Sequence, residues 1–143
     1  MAEITLSGVT RNLSKANEYL LGWWRDQKLN EDKRFDFELA LEELFINAVT
    51  HGDLQGNASR VVQISLVVEK KPQTATVSMR ISYEGPMFNP LTVATPDIHP
   101  TVEKRSLGGL GIHLTVSLMD RVDHEFSDGL NVTSVTKTFD HAL

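Results

Sequence analysis

The sequence predicts an α/β (α+β) two-layer sandwich, in which helices pack on one face of a mainly antiparallel mixed sheet. Apolar residues recur at helical spacing in three segments, and they alternate with polar residues in five shorter segments. The segments follow the order β-α-α-β-β-loop-α-β-β, which favours helices collected on one side of the sheet. A chain of 143 residues can bury one sizeable core, so a single domain over residues 1–143 is expected.

The first half of the chain predicts a short strand followed by two amphipathic helices. Residues 3–8 alternate between apolar and polar side chains, as a strand does. Residues 12–29 carry apolar side chains at helical spacing, and Asn12 is placed to cap the N-terminus of that helix. A polar linker is expected at residues 30–34. Residues 37–51 then form a second apolar stripe, which ends beside a glycine suited to helix termination.

The second half predicts two strand pairs with a helix between them. Residues 60–69 and 74–83 alternate, and the short polar segment between them favours an antiparallel hairpin. Residues 111–122 return to helical spacing. Residues 123–126 and 131–139 form the last pair, with a turn at Ser-Asp-Gly.

A long aperiodic segment separates the hairpin from the third helix. Residues 84–109 contain four of the five prolines. A loop of this length inside a compact domain is usually functional or disordered.

Composition excludes several classes of function. A formal net charge of −5 opposes non-specific attraction to nucleic acid phosphates. The chain has no cysteine, so it forms neither disulfides nor thiolate metal sites. No apolar run approaches the roughly 20 residues that cross a bilayer, and no secretory signal is visible at the start, so the cytoplasm is the expected compartment.

Three polar residues lie along one side of the second predicted helix. Glu43, Asn47 and His51 are four residues apart, so they form one column beside the apolar stripe. One interpretation is a solvated flank of a surface helix, because such residues are mostly exposed. The other is a functional pair, in which a carboxylate acts as general base and an amide oxygen one turn away holds a hard cation such as Mg²⁺.

A second candidate site lies where the long loop meets the third helix. Residues 106–114 read SLGGLGIHL, and Lys104 and Arg105 precede them. Glycines let the backbone approach phosphate oxygens closely, and amides at a helix N-terminus attract anions. A flexible hinge with a helix cap is the alternative interpretation.

Together these motifs resemble the GHKL (histidine-kinase-like) ATPase superfamily with its Bergerat-type ATP-binding fold, and most closely its anti-sigma-factor serine-protein kinases. "ALEELFINAVTHG" (residues 40–52) resembles the N-box, "GGLGIHLTVSLMDRVDHE" (residues 108–125) the second glycine box, and "DGLNVTSVTKTF" (residues 128–139) the closing strand. The resemblance implies that Glu43 is the general base and that Asn47 holds Mg²⁺.

The resemblance also implies ATP with Mg²⁺ as ligands and a lid over the nucleotide at residues 84–107. The positions that match the family's nucleotide-binding residues are Asn47, His51, Tyr83, Gly85, Arg105, Gly108, Gly109, Leu110 and Gly111.

The first glycine box departs from the family pattern. The family motif reads Asp-x-Gly-x-Gly, whereas this chain has Tyr83 at the aspartate and Met87 at the second glycine. The aspartate accepts the adenine amino group in relatives. Tyr83 could stack on a base or form a hydrogen bond with it, but its hydroxyl is not a charged acceptor. Glu84 would replace the carboxylate only after a one-residue shift that reverses side-chain direction on a strand.

The function implied by the resemblance is an ATP-binding anti-sigma-factor-like regulator. Such a protein is a serine/threonine kinase of an antagonist protein and sequesters a sigma factor, without direct contact to nucleic acid or membrane; a homodimer is compatible with it. One alternative is a degenerate, non-catalytic protein-binding switch module with weak or lost nucleotide binding. Another is a nucleotide-binding switch without phosphotransfer, so enzymatic activity is left open.

Overall fold

The computed structural model describes residues 1–51, 60–92 and 107–141, with residues 107–110 as helical backbone. The described strands form one sheet in the order β1-β2-β3-β5-β4, and every neighbouring pair is antiparallel. The predicted mainly antiparallel α+β sandwich is confirmed. None of the helices within the described ranges is long and apolar enough to cross a membrane. The elements are β1 (Ala2–Ser7), α1 (Leu13–Asp26), α2 (Glu31–His51), β2 (Val61–Lys70), β3 (Thr74–Glu84), α3 (Leu107–Leu118), β4 (Arg121–Ser127) and β5 (Leu130–Asp140).

The two faces of the sheet differ in polarity because side chains alternate along each strand. On the face toward the helices, Leu66 of β2 lies opposite Met79 of β3, which lies opposite Val135 of β5. All three side chains are fully buried. On the outer face, hydroxyl groups pair across β3 and β5, as Ser78 Oγ and Thr136 Oγ1 do at 3.2 Å. The predicted alternation therefore gives the sheet one apolar face, which packs against the helices, and one polar outer face.

An aromatic cluster joins α1 and α2 to the sheet. The indole of Trp24 is fully buried, stacks on Phe139 of β5 at 5.6 Å between ring centroids, and contacts Phe37 of α2 at 5.4 Å. Its Nε1–H donates to the Asn30 carbonyl at 3.0 Å. Large buried aromatic groups dominate core energetics, so this cluster fixes both helices over the sheet.

Helix α2 begins at Glu31, so the prediction of a linker at residues 30–34 was largely wrong. Asn30 Oδ1 accepts the Asp32 backbone N–H at 3.0 Å, as an N-terminal capping residue does. Arg34 then pairs with Glu31 at 2.6 Å and with Glu38 at 3.0 Å on the same helix. Local capping and ion pairs extend the helix where the apolar stripe is absent.

Helix α1 begins after the predicted cap residue, Asn12, but ends three residues earlier than predicted. A 3-10 turn covers Thr10–Asn12, the helix starts at Leu13, and it ends at Asp26 rather than at residue 29. Asn12 holds the N-cap position, but its side chain makes no capping hydrogen bond. Its Nδ2 donates instead to the Ser7 carbonyl at 2.9 Å, so it links β1 to the turn.

Helix α3 lies four residues earlier than predicted, at Leu107–Leu118 instead of residues 111–122. The glycines of the motif lie inside its first turns, where several backbone N–H groups lack helical partners anyway. The turn between β4 and β5 is as predicted: Asp128 and Gly129 both have positive φ, at 53° and 80°. Two successive positive φ angles are typical of tight hairpin turns.

Lys137 of β5 connects three elements beneath the helices. Its Nζ donates to Asp36 Oδ2 of α2 at 3.0 Å and to the carbonyl of Leu118, the last residue of α3, at 2.5 Å. Both charged side chains are mostly buried. A cation at a helix C-terminus satisfies a carbonyl that has no helical partner and complements the helix dipole. Lys137 thus ties the C-terminal end of α3 to α2 and to the sheet.

We predict that Lys137→Met lowers the free energy of unfolding by about 2 kcal/mol, because Asp36 and the Leu118 carbonyl lose a charged hydrogen-bond donor. Methionine keeps most of the aliphatic stem, so the loss reports the ammonium group. Urea denaturation measures it. Lys15→Met, at an exposed position of α1, is the matched control for the change in net charge. Equal losses in the two variants would contradict the role of Lys137.

Candidate functional site

The polar column on α2 passes from buried to exposed surroundings. Asn47 is only 9% exposed, Glu43 is partly buried, and His51, the last residue of the helix, is exposed. The neighbouring stripe on α2, which includes Phe45 and Ala48, is fully buried against the sheet. The column therefore lies at the border between the core and the surface, and a buried amide at Asn47 departs from an ordinary solvated flank.

The carboxyl group of Glu43 lies directly against the backbone of α3. A Cβ atom built on Gly111 would overlap the Glu43 carboxyl carbon and both of its oxygens. Only a residue without a side chain allows this approach. Burial, with a smaller contribution from the charge of Glu42, raises the pKa of Glu43 above its ordinary value. A carboxyl group with a raised pKa is suited to general-base chemistry.

The first glycine box is held by the side chain of Asn131 on β5. The Asn131 amide is fully buried; its Nδ2 donates to the Pro86 carbonyl at 2.9 Å and its Oδ1 accepts the Phe88 N–H at 3.0 Å. The Gly85 N–H donates to the Gly129 carbonyl at 3.1 Å. These three bonds fix the backbone after β3 against the turn and the start of β5.

An aromatic contact joins this box to the end of α2. The rings of His51 and Phe88 stack with centroids 4.1 Å apart and planes 11° from parallel. Phe88 is itself positioned by Asn131. The sequence-predicted residues His51 and Gly85 are therefore linked through two residues, Phe88 and Asn131, that sequence reasoning missed.

Tyr83 occupies the helix-facing side of β3, opposite Val62 and Asn131. It is only 6% exposed, and burial raises the pKa of its hydroxyl to about 12. The hydroxyl therefore stays neutral, and little of the ring is open for stacking on a base. Met87, at the second glycine position, is 61% exposed. This end of the site thus has a large buried ring where relatives are expected to carry a carboxylate.

The remaining predicted site residues fall into two groups. Arg105 lies outside the described residues, as do most of the residues of the predicted lid at 84–107. Gly108, Gly109 and Leu110 are described as backbone in the first turns of α3. The helix therefore begins one turn before the position where Gly111 meets Glu43, so the fold brings these two motifs together.

Of the two residues that sequence reasoning missed, only Asn131 had a weak signal in the sequence. Asn131 is a polar residue at an inward position of an alternating strand, and a buried asparagine needs hydrogen-bond partners. Its partners lie more than 40 residues away in the chain, so sequence could not name them. Phe88 lies in the loop after β3, where no periodicity indicates its neighbours.

Neither a metal cluster nor the cavity on the outer face of the sheet includes Glu43 in the described part of the chain. Across residues 1–51, 60–92 and 107–141, no three His, Asp or Glu side chains are grouped as metal ligands. A cavity of about 330 Å³ lies on the outer face of the sheet, where Gln63, Ser82 and Leu130 line it. The Glu43 carboxyl is on the opposite, helix-bearing side.

Comparison with known proteins found a match for the sequence and a match for the fold. Residues 7–137 match the sequence profile of the histidine kinase-like ATPase domain. Among solved structures, the fold is similar to the RsbU and RsbW domains of Rv1364c from Mycobacterium tuberculosis, with a TM-score of 0.61 and 14% sequence identity. That match covers 100% of this chain but 34% of the other. No curated protein matches the sequence significantly.

We predict that the Glu43→Gln variant is more thermally stable than the parent at about pH 8 and that this gain disappears near pH 4. The folded-state pKa of Glu43 is raised, so folding favours its protonated form. The ionised carboxyl therefore costs stability above the folded-state pKa, and below the unfolded-state pKa both states are protonated and the cost vanishes. Melting curves across this range measure the effect.

The Glu18→Gln variant, on the exposed surface of α1, controls for the loss of one negative charge. If the gain in melting temperature of Glu43→Gln became smaller as the pH rises, burial of the Glu43 carboxyl would be contradicted.

Proposed function

Since the chain belongs to the histidine kinase-like ATPase domain family, we propose that it is an ATP-binding regulator of the anti-sigma-factor type. In this proposal it transfers the γ-phosphoryl group of ATP to a serine or threonine of an antagonist protein, and in another complex it sequesters a sigma factor. The observation that carries the proposal is the contact of Glu43 on α2 with the glycine-containing helix α3.

Glu43 is the proposed general base. Its carboxylate takes the proton of the attacking hydroxyl while the new bond from oxygen to phosphorus forms and the bond to the leaving ADP breaks. A base with a raised pKa holds this proton more readily than an exposed carboxylate does. A helix position is also more rigid than a loop, and accurate positioning accounts for much of phosphoryl-transfer catalysis.

The phosphates and Mg²⁺ fit the residues around this base. The Asn47 amide, one turn along α2 and nearly buried, would hold the metal ion, which would supply positive charge to offset that of the phosphates. The N-terminal turn of α3 includes Gly108 and Gly109, where free backbone N–H groups and a helix dipole favour anions. Both features lie on elements that meet at Glu43.

The base-binding end fits adenine less well. Tyr83 offers a neutral, buried hydroxyl at the position of the charged acceptor, and a missing charge-assisted hydrogen bond weakens binding by roughly 1.5 to 3 kcal/mol. Phosphate and metal contacts do not depend on this position. The expected ligand is therefore ATP bound weakly, with a reduced preference for adenine over guanine.

A degenerate switch module is the second candidate. It is favoured by the same two residues, the buried Tyr83 and the exposed Met87. In this case the chain exchanges protein partners without phosphotransfer, and nucleotide binding is weak or lost.

The proposed partners are proteins. The sigma factor and the antagonist protein follow from the resemblance to anti-sigma-factor kinases. The net charge of −5 is consistent with no direct contact to nucleic acid. A homodimer and a cytoplasmic location belong to the same proposal.

We predict that the parent protein binds MgATP about ten- to a hundredfold more weakly than the Tyr83→Asp/Met87→Gly variant does. The variant regains the charged acceptor and the glycine. Calorimetric titration of both proteins with MgATP and MgGTP measures this difference. The variant should also gain preference for adenine. Tight, adenine-selective binding by the parent would show that another group contacts the base.

We also predict that Glu43→Ala abolishes phosphoryl transfer and leaves MgATP binding largely intact, because a general base acts on the attacking hydroxyl. The assay follows label from γ-labelled MgATP into serine or threonine of proteins in an extract of the source cells. Glu42→Ala, at the exposed neighbouring position, is the control. Transfer at parental rates by Glu43→Ala rejects its role, and no transfer by the parent favours the degenerate module.

A further inference from the structure

The third glycine of the motif in α3 differs from the two before it in what its backbone can do. Helix α3 starts at Leu107, so the free N–H groups of its first turn belong to residues up to Gly109 and Leu110. The N–H of Gly111 is directed to a carbonyl one turn earlier in the same helix. Its own carbonyl accepts the hydroxyl of the buried Thr115 at 2.9 Å. Gly111 is thus poorly suited to bind a phosphate.

What distinguishes Gly111 is the group that lies over its Cα atom. Every one of the three nearest atoms to a Cβ built there belongs to the Glu43 carboxyl group, and all three would overlap it. Gly22, on the exposed surface of α1, has nothing within 4 Å of the same position. Glycine is unfavourable inside a helix, so its occurrence at residue 111 calls for a reason of this kind.

We propose that Gly111 is a positioning residue: its missing side chain forms the seat that holds the Glu43 carboxyl against α3. The contact with Thr115 fixes the seat, because the hydroxyl bond restrains the Gly111 carbonyl. The seat links the proposed base on α2 to the helix that carries the proposed phosphate-binding turn. The consequence for catalysis rests on the proposed function, whereas the seat itself is a property of the folded chain.

A double-mutant cycle on thermal unfolding tests the seat without nucleotide. Gly111→Ala should lower the melting temperature while Glu43 is present, because the methyl group displaces the carboxyl. In the Glu43→Ala background the same change should raise the melting temperature, because the seat is empty and alanine is the better helix former. Glu43→Asp keeps the carboxylate but is one methylene shorter, so it should recover part of the loss caused by Gly111→Ala.

The matched control is Gly22→Ala, which should have the same effect with and without Glu43 because the two sites are independent. The proposal is overturned if Gly111→Ala lowers the melting temperature equally in both backgrounds. It is overturned as well if Gly111→Ala prevents folding both with and without Glu43, since the glycine would then serve backbone packing alone.

Ligand measurements separate a positioning role from a phosphate-binding role. If Gly111 acts through Glu43, Gly111→Ala should reduce phosphoryl transfer by about a hundredfold and leave MgADP affinity within about threefold of the parent. A loss of MgADP affinity of about tenfold or more, also present in the Glu43→Ala background, would assign Gly111 to the phosphates instead. A parent that transfers no phosphate would refute the proposed kinase activity and leave the unfolding cycle to decide on the seat.

Discussion

The close approach of α2 and α3 at Glu43 and Gly111 is the constraint on which the site depends. A carboxyl group can lie on a helix backbone only where that helix lacks a side chain, so the position of the Glu43 carboxyl depends on the glycine at residue 111. Other contacts then serve this geometry. Lys137 binds both α2, through Asp36, and the last carbonyl of α3, so the sheet holds the two helices from below.

The opposite side of the site is organised by a single amide. Asn131 satisfies two backbone groups of the loop after β3, and the loop in turn places Phe88 on His51. A buried side chain that completes backbone hydrogen bonds specifies a loop conformation, because any other conformation leaves polar groups unpaired. The candidate site is thus bordered by helix α2 at Glu43 and by a hydrogen-bonded loop at Phe88. Accurate positioning of a reacting group requires such fixed surroundings.

Sequence patterns predicted the strands more accurately than the ends of the helices. Alternation predicted β2 and β3 within one residue, because one face of the sheet is buried and a shift would expose it. The start of α2 was missed because Asn30 and the Arg34 ion pairs act without apolar periodicity. The motif around Glu43 was predicted, but its contact with Gly111 was not, since a close approach between helices has no local pattern. The pairing of Asn131 with its loop was hidden for the same reason.

The strand order has a consequence for how the chain reaches this structure during synthesis. The centre of the sheet pairs β3 with β5, and residues 85–129 lie between those two strands. While the ribosome makes this intervening segment, β3 has one edge whose backbone N–H and C=O groups are unpaired, and such edges attract other strands. The hydrogen bonds of Asn131 and Lys137 also arrive with β5. The loop side of the candidate site, which depends on Asn131, is therefore complete only once β5 has paired with β3, whereas Glu43 and Gly111 are both made before β5.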